Sequence, residues 1–270
     1  TVMILLSAII VFTGTFASWQ LEPMKKEYFL WFVLLSSGVF GFFISTDMFT
    51  MFMFYEVALI PMYLLIGVWG TGPKEYSAMK LTLMLMGGSS LLILGILGIY
   101  YFTGATTMDV SKLASLHMDV TAQKVFLVLT CISVVYGALS ACVQTDLKYI
   151  NAYSSVSHCG MVLFALLMMT QTAITGAILQ MLSHGLMTAL FFAVIGMIYH
   201  RCGTRDVRQL GGLMKIIPFL AVAYVVAGLA NLGLPGFSGF VAEMTIFVGS
   251  FENGGMFHRV ATIIARSEEH

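Results

Sequence analysis

The chain has 270 residues, 59% of them hydrophobic and only 10% charged, against about 25% charged in a typical soluble domain. With a mean hydropathy of +0.93 it has too few polar residues to cover a water-facing surface, which excludes the one or two soluble domains its length would allow and leaves an all-α, polytopic integral membrane protein. Thirteen basic and 13 acidic residues give no net charge, so nothing points to a nucleic-acid partner.

Crossing ~30 Å of hydrocarbon at ~1.5 Å per residue takes about 20 apolar residues. Nine segments meet or approach that length: 1–19, 28–46, 48–69, 78–102, 124–143, 149–170, 173–199, 216–231 and 234–252. The first opens on Thr1 inside an apolar run, so the natural start is expected upstream. The third holds Glu56 and, five residues on, Pro61 within "FMFYEVALIPMYLLIGVW". The fourth is rich in small residues (Gly87, Gly88, Ser89, Ser90, Gly95, Gly98) suited to close helix contact. The eighth is short and runs into "NLGLPGFSGF", where Gly233, Pro235, Gly236 and Gly239 predict a break over 231–239. A break at membrane depth is tolerated where protein or a wet cavity satisfies the freed backbone groups. Cys131, Cys142, Cys159 and Cys202 form no CxxC and read as reduced packing residues, not metal ligands or disulfides. Met84, Met86, Met168 and Met169 read as packing too.

If the segments alternate, one side receives Lys25, Lys26, Lys74, Lys80, Lys148, Arg201, Arg205, Arg208, Lys215, Arg259 and Arg266, eleven of the 13 basic residues. The other keeps Lys112 and Lys124. Basic loops stay cytoplasmic, so the first side is expected there, and the cluster Arg201, Arg205, Asp206 and Arg208 is read as a solvated loop that also sets topology.

Ionisable groups inside spanning segments are costly and default to function. Here they are Glu56, His158, His184 and Glu243. Glu56 lies roughly 12 Å from the non-cytoplasmic end of its segment, His158 and His184 both roughly 20 Å, on either side of a turn near 171, and Glu243 roughly 15 Å. Asn151, Ser154 or Ser155, and His158 share one helix face; Gln180, His184 and Thr188 share another; Gly236, Gly239 and Glu243 align on a third. Facing polar stripes at one depth would hold water or pass protons, work suited to an imidazole with pKa near 6.5 and to a carboxylate tuned by burial. No Ser/His/Asp triad, phosphate-cradling loop or HExxH appears. The pattern reaches an ion-conducting or ion-coupled membrane protein and stops there.

Five stretches reach further: "YEVALIPMYLLIGVWG", "QTDLKYINAYSSVSHCGMV", "LQMLSHGLMTALFFAVIGMIYH", "RCGTRDVRQLGGL" and "LGLPGFSGFVAEMTIFVGSF". Together they resemble the proton-pumping subunit M (chain 4) family of NADH–quinone oxidoreductase, respiratory complex I, within the antiporter-like family shared with multisubunit Na+/H+ antiporters. The resemblance implies two inverted helical repeats and proton translocation coupled to electron transfer from NADH to quinone. It implies Glu56 as a switchable carboxylate, His158 and His184 as relays, and Glu243 as the exit-side acid. It implies no cofactor or metal in the chain itself, NADH, FMN, iron–sulfur clusters and quinone belonging to partner subunits. Partners would be other membrane subunits and the lipid, in a bacterial cytoplasmic membrane. The expected organisation is an incomplete first repeat over 1–102, a non-cytoplasmic loop over 103–123, a second repeat over 124–256 and a tail over 257–270 unlike the family.

The chain also departs from that pattern. Gln123–Lys124 passes directly into a late helix, where relatives carry further segments with a first broken helix and midplane lysines. Two spanning helices are expected to be missing there, and the lysine expected to pair with Glu56 with them; the family's leading and trailing helices are expected to be missing from this sequence as well. Two alternatives therefore stand beside the pump: a Na+/H+ antiporter or membrane-bound hydrogenase subunit of the same fold, and a non-translocating chain that packs against partners.

Overall fold

The computed structural model describes residues 1–22, 24–70, 72–102, 107–110, 120–252 and 255–266. Among them helix is the dominant structure: α1 (Val2–Ala17), α2 (Lys25–Ile44), α3 (Met48–Trp69), α4 (Lys74–Phe102), α5 (Val120–Val143), α6 (Leu147–Leu167), α7 (Gln171–Cys202), α8 (Leu213–Ile216), α9 (Pro218–Asn231), α10 (Ser238–Glu252) and α11 (Met256–Arg266). Each of the nine expected segments carries a helix. Six of them, α2 to α7, are long and apolar enough to cross a membrane, and α1 and α9 are shorter apolar helices. The loop expected over 103–123 lies mostly outside the described residues, as do residues 267–270 of the expected tail; the rest of that tail continues α11.

The chain divides into two compact units, Thr1–His117 and Met118–His270. In the first, α1 packs on α2, α2 on α3 and α3 on α4. Small residues set the α2–α3 spacing: a Cβ added at Gly38 would sit 3.0 Å from that of Ala58. Asp47 starts α3 by accepting from the Thr50 amide at 3.0 Å, satisfying one of the orphan donors of a helix start. Pro61 lies inside α3, where its missing N–H frees the carbonyl one turn back, at Val57.

In the second unit α5 packs on α6, α6 on α7, α7 on both α9 and α10, and α11 on α5 and α10. Leu127, Val134, Phe164, Met168 and Ile246 are buried in its largest core cluster. Lipid is as apolar as these side chains, so van der Waals fit, not water exclusion, holds the helices to one another. Small residues permit that fit. A Cβ at Gly137 would lie 2.6 Å from the Ser157 amide nitrogen, and one at Gly176 would lie 2.7 Å from that of Ile246.

One local pattern occurs in both units. A Thr-Asp pair follows one helix, the Asp caps the next, and an isolated antiparallel bridge ties it to an Asp-Val pair beyond the third. In the first unit Met48 N–H donates to Met108 O at 3.0 Å and Val110 N–H to Thr46 O at 2.8 Å. In the second Leu147 N–H donates to Arg205 O at 3.1 Å and Val207 N–H to Thr145 O at 2.9 Å. Asp146 caps α6 through the Lys148 amide at 2.8 Å, and Arg205 Nε lies 3.6 Å from its carboxylate.

Candidate functional site

The site of the second unit forms where α6, α7, the α9 terminus and α10 meet. α9 ends at Asn231 and α10 begins at Ser238, so the expected break is present, with Gly233 at φ +60° and Gly236 at φ +107°. Both angles fall in the left-handed region where glycine carries no Cβ penalty. The break leaves the Asn231 side chain at a helix end, free to reach sideways into α6.

Three of the four expected residues come together there. His158 Nδ1 lies 3.7 Å from Glu243 Oε1, and the His158 and His184 rings are 5.0 Å apart between centroids. Gln180 Nε2 stands between the first pair, 3.0 Å from His158 Nδ1 and 3.4 Å from Glu243 Oε1. His158 Nε2 is 2.9 Å from Asn231 Oδ1, and Asn231 also exchanges hydrogen bonds with Ser154 at 3.1 and 3.2 Å. Thr188 reaches the His184 ring at 3.3 Å, and Ser183 pairs with Ser238 at 2.8 Å across the break. Glu243 is 5% exposed and Gln180 2%. The result is a connected polar chain, Ser154–Asn231–His158–Gln180–Glu243, in an otherwise apolar bundle. A cavity of about 270 Å³ touches Ser154, His158, Asn231 and Glu243 and extends to Ala141 and Cys142 near the end of α5, with room for several waters.

Sequence reasoning placed Gln180 on a polar stripe and Asn231 at the edge of the break, but assigned neither to the site. A polar residue in the last turn before a Gly-Pro break is the signal that would have drawn attention to Asn231. All four cysteines are free; Cys131 is buried inside the bundle, and Cys142, Cys159 and Cys202 lie on its outer surface.

Glu56 has its own surroundings in the first unit, a groove of about 400 Å³ between α3 and α4 lined by Met53, Ile60, Tyr63, Thr82 and Met86 among others. Its Oε1 is buried with no hydrogen-bond partner among the described residues, and no basic side chain lines the groove.

The chain matches the family model described as NADH:quinone oxidoreductase/Mrp antiporter, TM, in two stretches, residues 45–117 and 108–266. Similar curated proteins include NAD(P)H-quinone oxidoreductase chain 4-2 of Synechocystis sp., 27% identical over 92% of this chain and 56% of the relative. A chain 4 protein of Picosynechococcus sp. is 30% identical over 92% and 57%, and subunit M of Rhodobacter capsulatus is 29% identical over 87% and 61%. This chain therefore spans less than two thirds of the length of these relatives. The Synechocystis alignment has 314 positions but takes in about 248 residues here (92% of 270), so about 66 positions of the relative have no counterpart. Among solved structures, a chain of respiratory complex I from Thermus thermophilus superposes with a TM-score of 0.82 at 21% identity, over 98% of this chain and 71% of that one. A chain of the Mrp complex from Dietzia sp. gives 0.74 at 22% identity, over 88% and 58%. At these identities the two structures establish a shared fold.

Proposed function

Because the chain belongs to the NADH:quinone oxidoreductase/Mrp antiporter transmembrane family, we propose that it is a proton-translocating membrane subunit driven by electron transfer from NADH to quinone. The observation that carries the reading is the buried pair His158 and Glu243, 3.7 Å apart and linked through Gln180. Two titratable groups within one hydrogen-bonded chain, beside a cavity large enough for water, are what proton hopping across a bundle requires. In this reading His184 and His158 relay the proton, Glu243 delivers it, and Glu56 is the switchable carboxylate of the first unit. NADH, flavin, iron–sulfur clusters and quinone would be held by partner subunits, and the basic loops would face the cytoplasm of a bacterial inner membrane.

The test is NADH-driven acidification of inverted vesicles carrying this chain in its complex, followed with a pH-sensitive dye. Glu243→Gln and Glu56→Gln should each reduce acidification at least tenfold while leaving the chain in the membrane; unchanged acidification in both would refute the reading. A second reading is favoured by the roughly 66 uncounterparted positions of the Synechocystis relative and by Glu56 Oε1, which has no hydrogen-bond partner among the described residues. In it the chain packs against partners and translocates nothing. Vesicles in which the wild-type chain adds no acidification over a deletion strain would favour it.

A further inference from the structure

His158 and Glu243 are too far apart to share a hydrogen bond, at 3.7 Å between Nδ1 and Oε1. What lies between them is the nitrogen end of the Gln180 amide. An amide nitrogen has two hydrogens to give and nothing to accept with. His158 Nδ1 is therefore an acceptor without a proton, and the ring proton sits on Nε2, where it is donated to Asn231 Oδ1 at 2.9 Å. Glu243 Oε1 is likewise an acceptor. The two facing atoms thus carry no proton, each held so by one hydrogen of the same amide. At the other end of that amide, Gln180 Oε1 is buried and has no hydrogen-bond partner among the described residues. A buried acceptor without a donor is rare and calls for an explanation.

We infer that Gln180 is a positioning residue that gates proton transfer between His158 and Glu243 by turning its amide end for end. While the nitrogen faces inward, a proton arriving at Nδ1 meets an N–H and finds no acceptor beyond. A half-turn about the terminal torsion, which is soft in glutamine, brings the now idle Oε1 inward. That oxygen accepts from Nδ1–H of a protonated His158 before the transfer and from the O–H of a protonated Glu243 after it. Nitrogen inward thus accompanies the empty pair and oxygen inward the loaded one. In the transfer the Nδ1–H bond breaks, the proton passes through water in the adjoining cavity, which touches both His158 and Glu243, an O–H bond forms on the Glu243 carboxylate, and His158 returns to the neutral Nε2–H form. No electrons pass and the amide itself gains no proton. This deepens the translocation reading and rests on it for the consequence for flux, whereas the control of His158 by Gln180 stands on geometry alone.

The experiment uses the full chain in lipid nanodiscs with ¹⁵N-labelled histidine, whose long-range ¹⁵N–¹H spectra distinguish the two neutral tautomers. A His158→Gln sample identifies the signal among the six histidines. Wild type should show neutral His158 as the Nε2–H tautomer. Gln180→Met keeps the volume and removes the amide, and should lower the Nε2–H to Nδ1–H ratio about fivefold, the size of one net hydrogen bond. Gln180→Glu places an acceptor where the donor was, and should convert His158 to a form protonated at Nδ1; it serves equally if the Met variant does not fold. An unchanged His158 signature in the variants, or a wild-type His158 protonated at Nδ1 when neutral, overturns the proposal. Proton flux in the same complex-bearing vesicles should fall at least tenfold in Gln180→Met, and full flux there overturns the gate as well. Wild-type vesicles without flux would remove the translocation reading, and the tautomer result would still decide whether Gln180 sets the proton position on His158.

Discussion

The position of Glu243 depends on how closely α10 approaches α7, and that approach depends on Gly176. A Cβ added there would sit 2.7 Å from the Ile246 amide nitrogen, 2.8 Å from its Cγ1 and 3.1 Å from its Cα. Carbon contacts settle at about 3.5–4.0 Å, so α10 must retreat by roughly 0.8 Å. Backbone atoms cannot swing aside as a side-chain tip can. Ile246 follows Glu243 by three residues on the same face, so the retreat carries the carboxylate with it. The Gln180–Glu243 contact, already 3.4 Å, would lengthen beyond hydrogen-bond range. Overpacking of this kind costs about 1–3 kcal/mol. Gly196, on the same helix, has no atom of the described residues within 4 Å of an added Cβ, and alanine there should stabilise by about 0.4–1 kcal/mol through helix propensity and chain entropy. Reversible unfolding in bicelles by denaturing-detergent titration, followed by circular dichroism, should therefore give Gly176→Ala and Gly196→Ala shifts of opposite sign. Equal shifts, or a Gly176→Ala variant as stable as wild type, would refute the packing argument.

Two further outcomes follow from the break and the loop. Gly233 has φ +60° and an added Cβ would collide with Glu243 Oε2, so Gly233→Ala should lower stability by about 1–2 kcal/mol and shift the Glu243 carboxyl infrared band; a band that stays in place would show that the glycine does not constrain the carboxylate. In the exposed loop after α7, the hydrogen bond from the Arg208 side chain, with help from its backbone N–H and charge, holds the Asp206 carboxyl below its ordinary 3.8. Arg208→Ala should let it rise toward that value in a ¹³C titration. Because the folded-state pKa is the lower one, any stabilisation from the pair is present above pH 3.8 and is lost as pH falls through the folded value.

The sequence alone determined where the helices lie and which groups would be expensive to bury. Apolar runs of membrane length can satisfy their backbone only as helices, so all nine expected segments are helical, and Gly233, Pro235 and Gly236 marked the break at the residues where it occurs. The cost of burying charge singled out His158, His184 and Glu243, and the antiparallel turn near residue 171 put the two histidines level, as their 5.0 Å ring separation requires. Partners were another matter. Helical periodicity says which residues share a face, but the rotation of one helix against another is set by close contacts such as Gly137 on Ser157 and Gly176 on Ile246, which pair residues far apart in the chain. Only the packed bundle could therefore show that the link between His158 and Glu243 is the Gln180 amide, and that Asn231 is released by the break to take the other ring nitrogen. The same holds for Glu56: its cost was legible in the sequence, and the lack, among the described residues, of a hydrogen-bond partner for its buried Oε1 emerged from the helices packed around it.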